Sequence, residues 1–343
     1  MSFEPIPDDR HNHFNLLRII AACTVIFSHS WPLTRGFEVK SPLETFIGFS
    51  VGIVAVTAFF AISGYFIFAS LERRRSNWDF ISARIARIYP GLIVVVALSV
   101  FVMGPLVTDL SIGQYFTDPG SFLYPVKVLT FIDAPASLPG AFASNPISGG
   151  ANGSLWTLFY EVACYIGLFV SVGLLRMPVK WIILAYLPIY ALAMITQNFV
   201  IFAWFSMPFI IGMTAYRYRS RRFLRWWVAA GLLAAAMAVS FAGYQFIPLW
   251  SVAIAYCTLW LGFAKAPSLL AYNELGDYSY GTYIYGWPVQ QCLVHVMPGI
   301  QPPALICLSL PIAVLLAMLS WRFVEKPGLR LRRTFTRSPS TTR

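Results

Sequence analysis

Long apolar runs broken by short polar stretches organise the chain from Phe14 to Trp321. They are continuous, not the ten-residue alternations of a membrane barrel, so they read as helices crossing a bilayer. At about 20 residues per crossing, the length allows about ten. The pattern predicts spans over 15–34, 48–70, 88–107, 154–175, 181–197, 200–216, 226–243, 249–265, 278–297 and 303–322. The longest polar connection, 108–153, is rich in Pro, Gly, Ser and Asn, and its apolar piece Phe122–Phe131 is read as lying along the interface or dipping into it. A connection of that length is usually functional or disordered. No internal repeat is visible, which weakens an inverted-repeat transporter reading.

Composition agrees. Of 343 residues, 58% are hydrophobic and 11% charged, against about 25% charged in soluble domains. The net charge of +11 is no sign of nucleic acid here, because all lysines and arginines except Arg35, Lys40 and Lys127 fall on one alternating set of connections. That is the positive-inside asymmetry. It predicts an all-α polytopic bundle with both termini cytoplasmic: an arm at 1–14, a membrane domain at 15–323 and a basic tail at 324–343, in the cell inner membrane. The tail is expected to be disordered beyond Arg333. The first ten residues are polar and the run after them is a full span, so no cleavable signal peptide is expected. The five cysteines all lie in apolar runs and suggest neither disulfides nor metal ligation. His11 and His13 are expected to be solvated tail residues. The arginines of 71–75 and 217–225 are expected to anchor to anionic lipid.

A few polar groups interrupt the apolar runs. Arg18 opens the first, and His29 follows roughly 16 Å later along a helix at 1.5 Å per residue. An ionisable group at that depth is a functional-site hypothesis by default. With the predicted topology, Glu161 in the fourth span lies at a similar depth below the outer surface. It could orient the imidazole as a general base; the alternative is a structural acid paired with a tyrosine hydroxyl. Ser63-Gly64-Tyr65 either lets helices approach closely or clears room for a ligand. Arg84 and Arg87 are one turn apart at the cytoplasmic mouth of the third span. The pair suits a phosphate or diphosphate, or else anchors to lipid. The ninth span carries Tyr280, Tyr283, Trp287, Gln290 and Gln291, an aromatic and amide surface suited to a sugar or pantetheine path.

These residues resemble the acyltransferase-3 family of integral-membrane acyltransferases, from about Phe14 to Arg330. The likeness rests on six stretches in order: Asn15-Leu16-Leu17-Arg18 with His29, Phe60–Tyr65, Arg84-Ile85-Ala86-Arg87-Ile88-Tyr89-Pro90, Ser154-Leu155-Trp156 with Glu161, Tyr278–Tyr283, and Val324-Glu325-Lys326-Pro327. The resemblance implies transfer of an acyl group, usually acetyl from acetyl-CoA, to a hydroxyl of a cell-envelope or exported carbohydrate, free or lipid-linked. It implies that His29 is essential and that Arg84 and Arg87 face CoA. The catalytic residues expected are His29 and Glu161. Arg84, Arg87, Arg18, Ser63 and Tyr65 are expected on the donor side, and Trp156, Tyr280, Tyr283 and Gln290 on the acceptor side, with no metal. An acyl-histidine relay is the variant mechanism. Two departures matter: Asn15 stands where the family often has Asp, and Gly286 where it often has His. The rival class is a transporter or flippase for a lipid-linked or sugar substrate, which a deep histidine and carboxylate would equally suit.

Overall fold

A computed structural model of the chain describes residues 12–42, 44–218 and 224–336. His11, the middle of the 217–225 arginine loop and the tail past 336 lie outside them. Among the described residues the fold is all helical, apart from isolated bridges between Thr108 and Ala141 and between Ser137 and Gly150. Among the described residues, seven helices are long and apolar enough to cross a membrane. They are α1 (Phe14–Arg35), α2 (Val51–Glu72), α3 (Asn77–Val107), α6 (Gly153–Leu174), α7 (Val179–Thr196), α8 (Val200–Arg217) and α12 (Pro302–Arg332). Two apolar helices are shorter, α9 (Trp226–Phe241) and α10 (Ile247–Gly262). The predicted ninth span forms α11 (Ser279–Val296). Each predicted span overlaps one of these helices, seven of which have the length and hydropathy of a crossing. Short helices α4 (Ile112–Thr117) and α5 (Pro119–Leu129) occupy the long connection.

The chain forms two compact units. One holds α1 up to Ser28, Lys40–Arg73 and Tyr160–Gly276. Its tightest crossing is α2 on α8. A Cβ on Gly64 would lie 1.9 Å from the Phe209 carbonyl oxygen, and one on Gly212 would lie 2.0 Å from that of Ala61. Small residues let the two backbones touch, which is the close-approach reading of Ser63-Gly64. Beside them Tyr65 packs among the rings of Phe14, Phe66, Tyr216 and Phe263. The Phe14 ring lies over Gly262, where even a methyl group would collide with it. That insertion buries His13, whose amide donates to the Gly262 carbonyl at 2.8 Å and whose Nε2 lies 3.0 Å from that of Ala264. The expectation of a solvated His13 is therefore corrected: the polar arm is docked from Asn12 onward.

The other unit holds His29–Val39, Arg74–Phe159 and Asp277 onward. Here α3 starts well before its apolar stretch. Ser76 caps it, its Oγ accepting from the Asp79 amide at 3.1 Å, with Asp79 itself favourable in the first turn. A π-helical turn at Ser99–Met103 follows the point where Ser99 Oγ donates back to the Val95 carbonyl. The helix of α12 also outlasts its apolar run. It passes through a π-helical turn at Trp321–Glu325 and stays helical to Thr336, past the predicted onset of disorder. Arg332 holds this extension to α3 through Asp79 and Ser82.

Candidate active site

His29 sits on α1, partly buried, its ring edge-on to Trp287 of α11 with centroids 4.9 Å apart and planes at 80°. The next residue, Ser30, is fully buried and accepts a 2.7 Å hydrogen bond from Gln290 Nε2. Trp287 and Gln290 are three apart, so one face of α11 addresses His29 and its neighbour together.

The rest of α11 is clothed by the long connection, which is ordered. Asn145 Nδ2 donates to the Gln291 carbonyl at 3.0 Å and to its Oε1 at 2.8 Å, and Gln291 Nε2 donates to the Ile147 and Gly150 carbonyls at 3.0 and 3.1 Å. Trp287 Nε1 donates to the Gly150 carbonyl at 3.0 Å. Asn152 Nδ2 donates to the Ile284 carbonyl at 2.7 Å. That last bond has a covalent cause. Pro288 follows Ile284 by four residues and has no N–H to give it, so the carbonyl needs another donor. Ser154 Oγ donates to Asn152 Oδ1 at 2.8 Å, and the Tyr283 hydroxyl donates to the Ser154 carbonyl beside Thr157.

The expected acceptor residues are thus mostly engaged inside this unit. Tyr283 and Gln290 are buried in the loop and helix contacts just given. Tyr280 donates its hydroxyl to the Ile88 carbonyl at 2.7 Å. Trp156 is partly buried at the start of α6. Of the donor residues, Arg84 lies over the Phe80 ring at 5.6 Å. Arg87 is held by Asp277 at 2.6 Å and Glu325 at 3.5 Å, and it covers the Tyr280 ring at 5.5 Å. In the first unit, Arg18 lies over Phe66 at 5.4 Å. Ser63 Oγ donates to Glu161 at 3.2 Å, and so does the Tyr165 hydroxyl. Glu161 thus accepts from the Tyr165 hydroxyl, and the imidazole of His29 lies edge-on to Trp287.

Asn145, Asn152, Asp277 and Glu325 belong to this constellation without having been singled out as site residues. Pro288 was the one local signal for Asn152, because it announces an orphan carbonyl. Among the described residues no three His, Cys, Asp or Glu side chains are placed to hold a metal ion.

The profile of a family described as "Acyltransferase domain" matches residues 11–322. The chain is 30% identical over 336 residues to an "O-acetyl transferase" of Shigella phage Sf6, covering 92% of this chain and 96% of that protein. It is 31% identical over 368 residues to "Nodulation protein 10" of Rhizobium leguminosarum bv. viciae, covering 94% of each. No solved structure matches it. With apolar helices of membrane-spanning length and a profile that matches nearly end to end, the chain belongs to the acyltransferase-3 family of membrane acyltransferases.

Proposed function

We propose that this protein is an acyl-CoA-dependent O-acyltransferase, most simply an O-acetyltransferase, that modifies a hydroxyl of a cell-envelope or exported carbohydrate from within the inner membrane. About ten helices cross, with both termini in the cytoplasm. The observation that carries the reading is His29: an imidazole within a membrane helix, partly accessible, and braced by Trp287 on one side of its ring. The phage relative named an O-acetyl transferase supports the acetyl group and the oxygen acceptor.

Acyl-CoA docks from the cytoplasm, where Arg84 supplies positive charge for its phosphates. The thioester lies near His29. An acceptor hydroxyl arriving from the outer side attacks the thioester carbon while His29 takes its proton. The C–O bond forms and the C–S bond breaks. The proton then passes from the imidazole to the departing CoA thiolate, leaving the histidine neutral for the next cycle. General-base assistance of this kind is worth about 10²–10⁴-fold.

The test uses purified full-length protein with labelled acetyl-CoA and a glycan acceptor. Acceptor-dependent loss of thioester is expected, reduced about 10²-fold or more by His29→Ala in a protein that still inserts and runs as a single species. Retained transfer in that variant would remove His29 from the chemistry. Acceptor movement across vesicles without thioester loss would favour a transporter.

A further inference from the structure

Three of the stretches that carry the family resemblance meet at one point of the second unit. Arg87 of α3 lies between Asp277, at the entrance of α11, and Glu325, in the π-helical turn of α12. Asp277 uses its two oxygens differently: Oδ2 accepts from Arg87, while Oδ1 accepts from the Ser279 amide and hydroxyl and so caps the start of α11. Glu325 is buried and also accepts from Ser320 Oγ at 3.0 Å. Two further contacts fix the same junction. The Tyr280 ring lies under the Arg87 guanidinium, and its hydroxyl bonds the Ile88 carbonyl. A Cβ on Gly91 would lie 2.9 Å from that ring. The helix thus held carries Trp287 ten residues beyond Asp277, roughly 15 Å along its axis, edge-on to His29.

Resting on the acyltransferase reading above, we infer that Arg87, Asp277 and Glu325 form an ion-paired joint that sets the position and rotation of α11, and with it the Trp287 brace of His29, so that Arg87 is a positioning residue. A guanidinium already paired with two carboxylates would have to shed one to take a phosphate.

Steady-state kinetics with acetyl-CoA as the varied substrate separate the roles. Arg84→Ala is expected to raise the donor KM about tenfold or more, the scale of one lost charge-assisted hydrogen bond. Arg87→Ala and Asp277→Asn are expected to lower kcat with the donor KM within about twofold of the parent. Arg87→Glu is expected to lower both kcat and the unfolding temperature. Arg87→Glu combined with Glu325→Arg, which keeps one cation between two carboxylates, is expected to recover much of both. An Arg87→Ala protein with intact kcat and a tenfold higher donor KM would overturn the inference. So would an Asp277→Asn protein with a lower donor KM, since a released guanidinium would then be binding phosphate. Thermal recovery in the exchanged pair needs no activity. Recovery without acyl transfer by the parent would therefore sink the acyltransferase reading and keep the joint. Failure to recover, with an active parent, would sink the joint alone.

Discussion

Gln291 is where the long connection is tied to α11, and replacing it with Met isolates that tie. Methionine has nearly the same length and volume, so no cavity is opened, but it can neither donate nor accept as an amide does. The Ile147 carbonyl loses its donor, a cost of about 1–3 kcal/mol for a buried orphan. The Gly150 carbonyl keeps Trp287 Nε1, and Asn145 Nδ2 keeps the Gln291 main-chain carbonyl, so each of those losses is nearer about 1 kcal/mol. Together the tie is worth about 3–5 kcal/mol. Lys127 is the one basic residue in 108–153, so tryptic cutting after it reports opening of this segment. When reclosing outpaces cutting, the rate follows the open population, and even a 2 kcal/mol loss should raise it about thirtyfold. Asn145→Ala should act on the same tie, so the double variant should cost clearly less than the two single losses combined. Cleavage after Lys127 within about threefold of the parent, with an unchanged unfolding temperature, would refute the claim that these amides hold the segment.

Two further outcomes follow from the other unit. Gly64→Val places a branched side chain where even a Cβ meets the Phe209 carbonyl oxygen at 1.9 Å; overpacking of this kind costs about 1–3 kcal/mol or more, and an unfolding temperature equal to the parent's would show that α2 and α8 are not in backbone contact. Tyr165→Phe should cost about 1.5–3 kcal/mol, the worth of a hydrogen bond to a charged group, and should couple to Glu161→Gln in a double-mutant cycle read by unfolding. In a second cycle read by log kcat, strong non-additivity of Glu161→Gln with His29→Ala would assign Glu161 the orienting role, and additivity would leave it a structural acid.

The helices were legible because apolar periodicity over some 20 residues is a local signal. Where the reading fell short, the determinant was not hydropathy. The third span was read from Tyr89-Pro90, but Ser76 and Asp79 form a start signal that hydropathy overlooks, so α3 begins at Asn77. The last helix outruns its apolar stretch because Arg332 finds Asp79 and Ser82 on α3. The 108–153 segment resembles a loose linker in composition. Its order comes from amide side chains that reach carbonyls on α11 more than 130 residues away, and no window of sequence contains both ends of such a bond.

Arg87 shows the same limit in the chemistry. Spacing alone makes Arg84 and Arg87 equivalent: two guanidinium groups on one turn of one helix. What spacing does not show is the pair of carboxylates beside Arg87, which come from residues 190 and 238 positions further along the chain. A cation within or beside an apolar span is costly unless paired, so each arginine there poses the question of its counter-ion before that of its ligand. For Arg87 the answer was present in the sequence as Asp277, just before the stretch Tyr278–Tyr283, and Glu325, inside Val324-Glu325-Lys326-Pro327, neither assigned a role. Motif residues scattered along a membrane chain are therefore better tested first against one another as ion pairs.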